Sequence, residues 1–125
     1  MKRSFGEVIT EERGALFEGL VAQIIRAYRD YRGICDEVYF WAASEGAAAE
    51  VDFLLARGRQ FVAIEAKSGG SFTESWCKGL RAAALLKGLK RRLIVYPCGP
   101  ALRTQDGIEV LPFRDFADML ASGTL

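Results

Sequence analysis

The segment from Glu50 to Lys67 constrains the fold more than any other part of the chain. Two short runs, Glu50 to Ala56 and Gln60 to Lys67, are rich in branched and aromatic residues and flank an Arg-Gly-Arg turn. That is the pattern of two antiparallel strands joined tightly. A turn centred on Gly58 and Arg59 sets Arg57 opposite Gln60 and, by continuation, Asp52 opposite Glu65 and Glu50 opposite Lys67. The two-residue period then gathers Val51, Phe53, Leu55, Val62, Ile64 and Ala66 on one apolar face. Glu50, Asp52, Glu65 and Lys67 fall on the other, beside Leu54, Phe61 and Ala63, so helices are expected to cover part of the charged face too.

The remaining elements follow from periodicity and breakers. From about Thr10 to Tyr31, Leu16, Leu20, Ile24 and Tyr28 recur every four positions, with Phe17, Val21 and Ile25 widening the stripe. This predicts a helix buried on one face, with Glu11 and Glu12 in its first turn and Gly33 at its end. Glu37 to Ala42 reads as a strand, separated from Glu50 by a turn at Ser44-Glu45-Gly46. Glu74 to Lys87 carries Trp76, Leu80, Ala83, Ala84 and Lys87 at helical spacing, with Thr73 as cap and Gly88 as stop. Arg92 to Tyr96 is a strand ended by Pro97, Ile108 to Leu111 a short strand after Gly107, and Phe113 to Leu120 a closing helix, with Ser122 to Leu125 expected to fray. The order αβββαββα defines an α/β fold in a single domain over 1–125.

Composition removes several function classes. Half of the 125 residues are hydrophobic and 26% are charged, as in a globular protein, and the net charge is only +1. No global field draws in nucleic acid, and the cluster Lys87, Lys90, Arg91 and Arg92 reads as solvated surface at a helix end. Cys35, Cys77 and Cys98 are odd in number with no C-x-x-C pair, which argues against zinc and a disulfide framework and for reduced, partly buried thiols. No apolar run approaches the roughly 18 residues of a membrane span, nor does the N-terminus read as a secretory leader, so a cytoplasmic location is expected. The chain has no histidine, which excludes Ser-His-Asp and Cys-His catalysis and leaves acid, base and metal chemistry to carboxylates and lysine. Trp41 and Trp76 are expected to pack rather than stack on bases, and Gly69-Gly70 to form a flexible exit from the third strand.

Directly opposed carboxylates repel, so Asp52 facing Glu65 calls for a proton, a neighbouring cation such as Lys67, or a metal ion. Mg²⁺ or Mn²⁺ would satisfy both through hard oxygen ligands, and one of its waters could serve as nucleophile. The competing reading makes Asp52 and Glu65 ordinary ion-pair residues shared among Lys67, Arg57 and Arg59.

Glu50-Val51-Asp52-Phe53, then Ile64-Glu65-Ala66-Lys67, behind a helix containing Gly14-Ala15-Leu16-Phe17-Glu18, resembles the PD-(D/E)XK nuclease-like superfamily. More closely, the chain looks like the C-terminal nuclease-like domain of prokaryotic AAA-type ATPases, from about Gly14 to Leu111. The resemblance implies a restriction-endonuclease-like αβββαβ core with a mixed central sheet flanked by helices. It also implies that Asp52 and Glu65 bind Mg²⁺ or Mn²⁺, that Lys67 orients water or stabilises the transition state, and that Glu18 assists from the first helix. Two functions follow as expectations. One is a metal-dependent nuclease acting on nucleic acid; the other is a non-catalytic module that docks on an ATPase or forms a homodimer.

Overall fold

The computed structural model describes residues 5–43 and 49–125, with side chains from residue 12 onward; the turn expected at Ser44-Glu45-Gly46 lies outside the described residues. The elements are α1 (Phe5–Arg32), β1 (Glu37–Ala42), β2 (Glu50–Arg57), β3 (Gln60–Ala66), α2 (Lys78–Ala82), β4 (Leu89–Tyr96), β5 (Leu102–Arg103), β6 (Glu109–Pro112) and α3 (Phe113–Ser122). Six strands form one mixed sheet in the order β1-β2-β3-β4-β6-β5. The pairs β1–β2, β2–β3 and β5–β6 are antiparallel, whereas β4 runs parallel to both β3 and β6. Helices flank the sheet on both faces, as the αβββαβ reading expects.

The β2–β3 hairpin has the register set by its turn, from Arg57 opposite Gln60 to Phe53 opposite Ile64. Gly58 adopts a positive φ of 58°, a conformation glycine takes without steric cost. One apolar layer joins Phe53, Leu55, Val62, Ile64, Leu93 and Val95 to Val21 and Ile25 of α1 and to Phe116 and Leu120 of α3. The opposite layer joins Leu54, Ala63, Ile94, Tyr96 and Val110 to Cys77, Leu80 and Ala83. Cys35 lies in the first layer and Cys77 in the second, while Cys98 is exposed, and all three are free thiols.

Strict alternation fails at one place. Val51 packs with Leu54 in the α2-side layer, not with Phe53 and Leu55 as the two-residue period requires. The cause is a bulge: Tyr39 pairs with Leu54 and Trp41 with Val51, so β2 uses one residue more than β1 over the same stretch. A bulge bends its strand and redirects the side chains within it, and here the redirected residues are Asp52 and Phe53.

Five other expectations are corrected. α1 begins at Phe5, so Thr10 is inside the helix rather than at its start. Its buried seam is Val21 and Ile25 with Phe17, Ile24 and Tyr28 beside them, while Leu16 is 73% exposed and Leu20 also faces outward. The helix read over Glu74 to Lys87 is broken into a 3₁₀ turn (Glu74–Cys77), the five-residue α2 and a second 3₁₀ turn (Ala83–Leu85). A Cβ on Gly79 would sit 1.7 Å from the Glu50 carbonyl oxygen, so this segment follows the sheet closely at a residue that weakens helix by about 1 kcal/mol relative to alanine. Thr73 supplies no side-chain cap and pairs its hydroxyl with Ser75 instead. Finally, the C-terminal residues are held rather than frayed: Leu125 is buried, and the Arg57 guanidinium donates to the carbonyls of Leu125 (2.8 Å) and Ile34 (2.6 Å).

Candidate functional site

Backbone pairing between β2 and β3 stops at Phe53 and Ile64, one residue short of the acidic pair. Beyond that point the two strands are held by side chains. The Asp52 amide donates to Glu65 Oε1 (3.1 Å), and the Ala66 amide donates to Asp52 Oδ2 (2.9 Å). β3 meanwhile turns toward β4, where the Lys67 amide donates to the Val95 carbonyl (2.9 Å). Each carboxyl therefore satisfies a backbone donor that the divergence would leave without a partner in the ladder. Asp52 and Glu65 are neighbours as the hairpin register requires, whereas Glu50 and Lys67 lie beyond the paired stretch.

Glu65 is 6% exposed and is the only buried charged residue among the described residues. Its carboxyl is pushed up to about 9, first by burial, then by the hydrogen bond shared with the Asp52 carboxyl and by the Asp52 charge, with Lys67 pulling the other way. The acidic pair accordingly retains a proton near neutral pH when no cation replaces it. Lys67 Nζ stands 4.0 Å from Glu65 Oε2 and is about one-third exposed, a long ion pair at the mouth of the site.

Glu18, on α1, is exposed. Its carboxyl is raised by loss of water on its inner side and then by the Asp52 charge, with Lys67 lowering it, so it lies in the field of the same two groups. The site thus unites Asp52, Glu65 and Lys67 closely, and Glu18 faces them from the helix.

A cavity of about 180 Å³ opens beside the pair, lined by Glu50, Asp52, Glu65 and Lys67 from the sheet and by Ser75, Trp76, Lys78 and Gly79 from the α2 segment. Asp52 also borders a groove of about 460 Å³ between α1 and the β1–β2 edge, lined in part by Arg26, Arg29, Tyr39 and Phe40. Lys78 and Ser75 escape the sequence reading, since only the register of Gly79 on Glu50 brings their segment to the carboxylates. Trp76 meets Phe72 and Tyr96 edge to face at 5.9 Å each, the packing role expected for it. It also lies against Gly69, where a Cβ would come within 2.7 Å of its ring.

The donor set suits a hard divalent cation. Two carboxylates side by side match the preference of Mg²⁺ or Mn²⁺ for one or two carboxylates plus waters. No group of three or more acidic or thiol side chains is gathered for a metal among the described residues, so the fit is to this sparse type of site and not to an all-protein cage. The competing ion-pair arrangement lacks Arg57, which is turned to the carbonyls of Ile34 and Leu125. Two of the four residues of the basic cluster are paired: Arg91 with Glu109 at 2.8 Å and Arg92 with Asp106 at 3.5 Å. No helix among the described residues is long and apolar enough to cross a membrane.

Compared with known proteins, residues 13–116 match the family model described as "Domain of unknown function (DUF4143)". No curated protein and no solved structure matches the chain.

Proposed function

The chain belongs to the DUF4143 family, and on the geometry of its acidic site we propose that it is a metal-dependent nuclease of the PD-(D/E)XK type, hydrolysing phosphodiester bonds of nucleic acid. The observation that carries this reading is the close Asp52–Glu65 pair, held at the point where β2 and β3 part, with Lys67 beside it. An acidic pair kept this close under burial is costly in a merely structural role, and a divalent cation relieves that cost.

In this mechanism Asp52 and Glu65 would hold Mg²⁺ or Mn²⁺, which would supply Lewis acidity at the site. Lys67 directs its ammonium to the same space and stabilises the negative charge that gathers on the phosphoryl oxygens as water adds and the sugar oxygen leaves. Glu18, exposed on α1 and in the field of Asp52 and Lys67, would accept a proton from the attacking water. Burial of Glu65 and its acceptance of the Asp52 amide hold its carboxyl beside that of Asp52.

The test is incubation of purified protein with Mg²⁺ or Mn²⁺ and single- and double-stranded DNA and RNA. Cleavage by the wild type that disappears in Asp52→Ala and Lys67→Ala supports the reading. Absence of cleavage on every substrate, or cleavage unchanged in both variants, refutes it.

A second reading, a non-catalytic docking module, draws on a different observation. Tyr39 and Phe40 on the edge strand β1 are 52% and 62% exposed, and Leu16 and Leu20 of α1 face outward as well. Apolar surface on an unpaired sheet edge suits an ATPase partner or a second copy of the chain. Light scattering of the purified protein, alone and with a candidate ATPase, distinguishes these.

A further inference from the structure

We propose that Lys78, the first residue of α2, is a substrate-binding residue that holds the backbone phosphate of a nucleic acid in the carboxylate cavity; this deepens the nuclease reading and rests on it. Two lysines line that cavity, Lys67 from the sheet and Lys78 from the helical segment. In the proposed mechanism Lys67, whose ammonium stands 4.0 Å from Glu65 Oε2, acts on the phosphoryl group that reacts. Lys78 is exposed and forms no ion pair among the described residues, so its charge remains available. The acidic wall of Glu50, Asp52 and Glu65 would repel a phosphodiester, and a cation on the facing segment is what admits one.

The position of Lys78 is fixed by its neighbour. Gly79 lies directly on the Glu50 backbone, where no side chain fits, and Leu80 is fully buried in the α2-side layer. The helical segment cannot slide along the sheet without breaking both contacts, so the lysine between Cys77 and Gly79 is held over the cavity mouth.

The cavity, about 180 Å³, is open to solvent on one side, so a phosphate of an extended strand can reach it from outside. A lysine contact to a phosphate carries no sequence information, so recognition by Lys78 is of the sugar–phosphate backbone.

The probe is a set of short fluorescein-labelled DNA duplexes of unrelated sequence, with binding followed by anisotropy in Ca²⁺ across a salt series. Lys78→Ala is expected to weaken binding roughly tenfold on every sequence and to lower the slope of log affinity against log salt by about 0.9, the loss of one phosphate contact. Lys78→Arg should keep the slope. The far-ultraviolet circular dichroism of the variants should match the wild type, because the side chain is exposed. Unchanged affinity and slope in Lys78→Ala, with the wild type binding, would overturn this inference and leave the nuclease reading intact. A wild type that neither binds these duplexes nor cleaves any nucleic acid would overturn both.

Discussion

Asp52 and Glu65 each use a carboxyl oxygen to hold a backbone amide of the other's strand: Glu65 Oε1 accepts from the amide of Asp52, and Asp52 Oδ2 from the amide of Ala66. The pair closes the gap left where the β2–β3 ladder ends, so the same two groups serve the fold and the proposed chemistry.

The protonation of Glu65 makes stability depend on pH. Its folded value, about 9, lies above its ordinary value of 4.5, so the folded chain retains a proton that the unfolded chain releases. The stabilisation is complete below about 4.5, falls as pH rises between these values and is lost above about 9. Urea denaturation of wild type and Glu65→Gln across this range should find the wild type losing stability with rising pH and the glutamine variant losing far less. Parallel curves would refute the assignment.

Cation binding must displace that proton. Calorimetric titration of Mg²⁺ or Mn²⁺ at neutral pH, repeated in buffers of different ionisation enthalpy, should register release of close to one proton per ion, and Asp52→Ala should abolish the binding. A saturating cation, at about 100 times its Kd, should add about 2.7 kcal/mol to stability. Heat signals independent of buffer would contradict the exchange.

Gly79→Ala tests the seating of the helical segment. The new Cβ meets the Glu50 carbonyl, so the segment must lift from β2, at a cost of about 1–3 kcal/mol. Chemical denaturation should register this loss. If the nuclease reading holds, cleavage should fall further than stability accounts for, because Lys78 moves with the segment.

Arg57→Ala removes two hydrogen bonds from a charged donor to the carbonyls of Ile34 and Leu125. A loss of about 2 kcal/mol is expected, at ordinary values for such bonds, together with faster amide exchange in the last residues of the chain. Exchange unchanged there would show that the C-terminus is secured by Leu125 burial alone.

The hairpin was legible because three local signals agree: the Gly58 turn, the branched residues and the alternation from Phe53 through Ile64. The neighbourhood of Asp52 and Glu65 followed from that register. The bulge at Asp52 and Phe53 was not legible, since it arises from how β2 pairs with β1 and leaves no mark of composition. The same limit hid the exposure of Leu16 and Leu20, whose spacing is as regular as that of the buried Val21 and Ile25. Lys78 and Ser75 reach the site through a tertiary contact at Gly79, a residue that sequence reads only as a weak helix former. β5 has two residues, too few for any period to register.

The placement of the thiols makes the chain its own opening gauge. Cys98 lies at the surface, whereas Cys35 is sealed in the layer beneath α1 and α3 and Cys77 in the layer beneath α2. Burial also raises both inner thiols, which keeps them poor nucleophiles until they meet water. Under native conditions an alkylating reagent should therefore take Cys98 at once and the other two only as their layers part. The two slow rates would time the opening of each side of the sheet separately, without any label added to the protein.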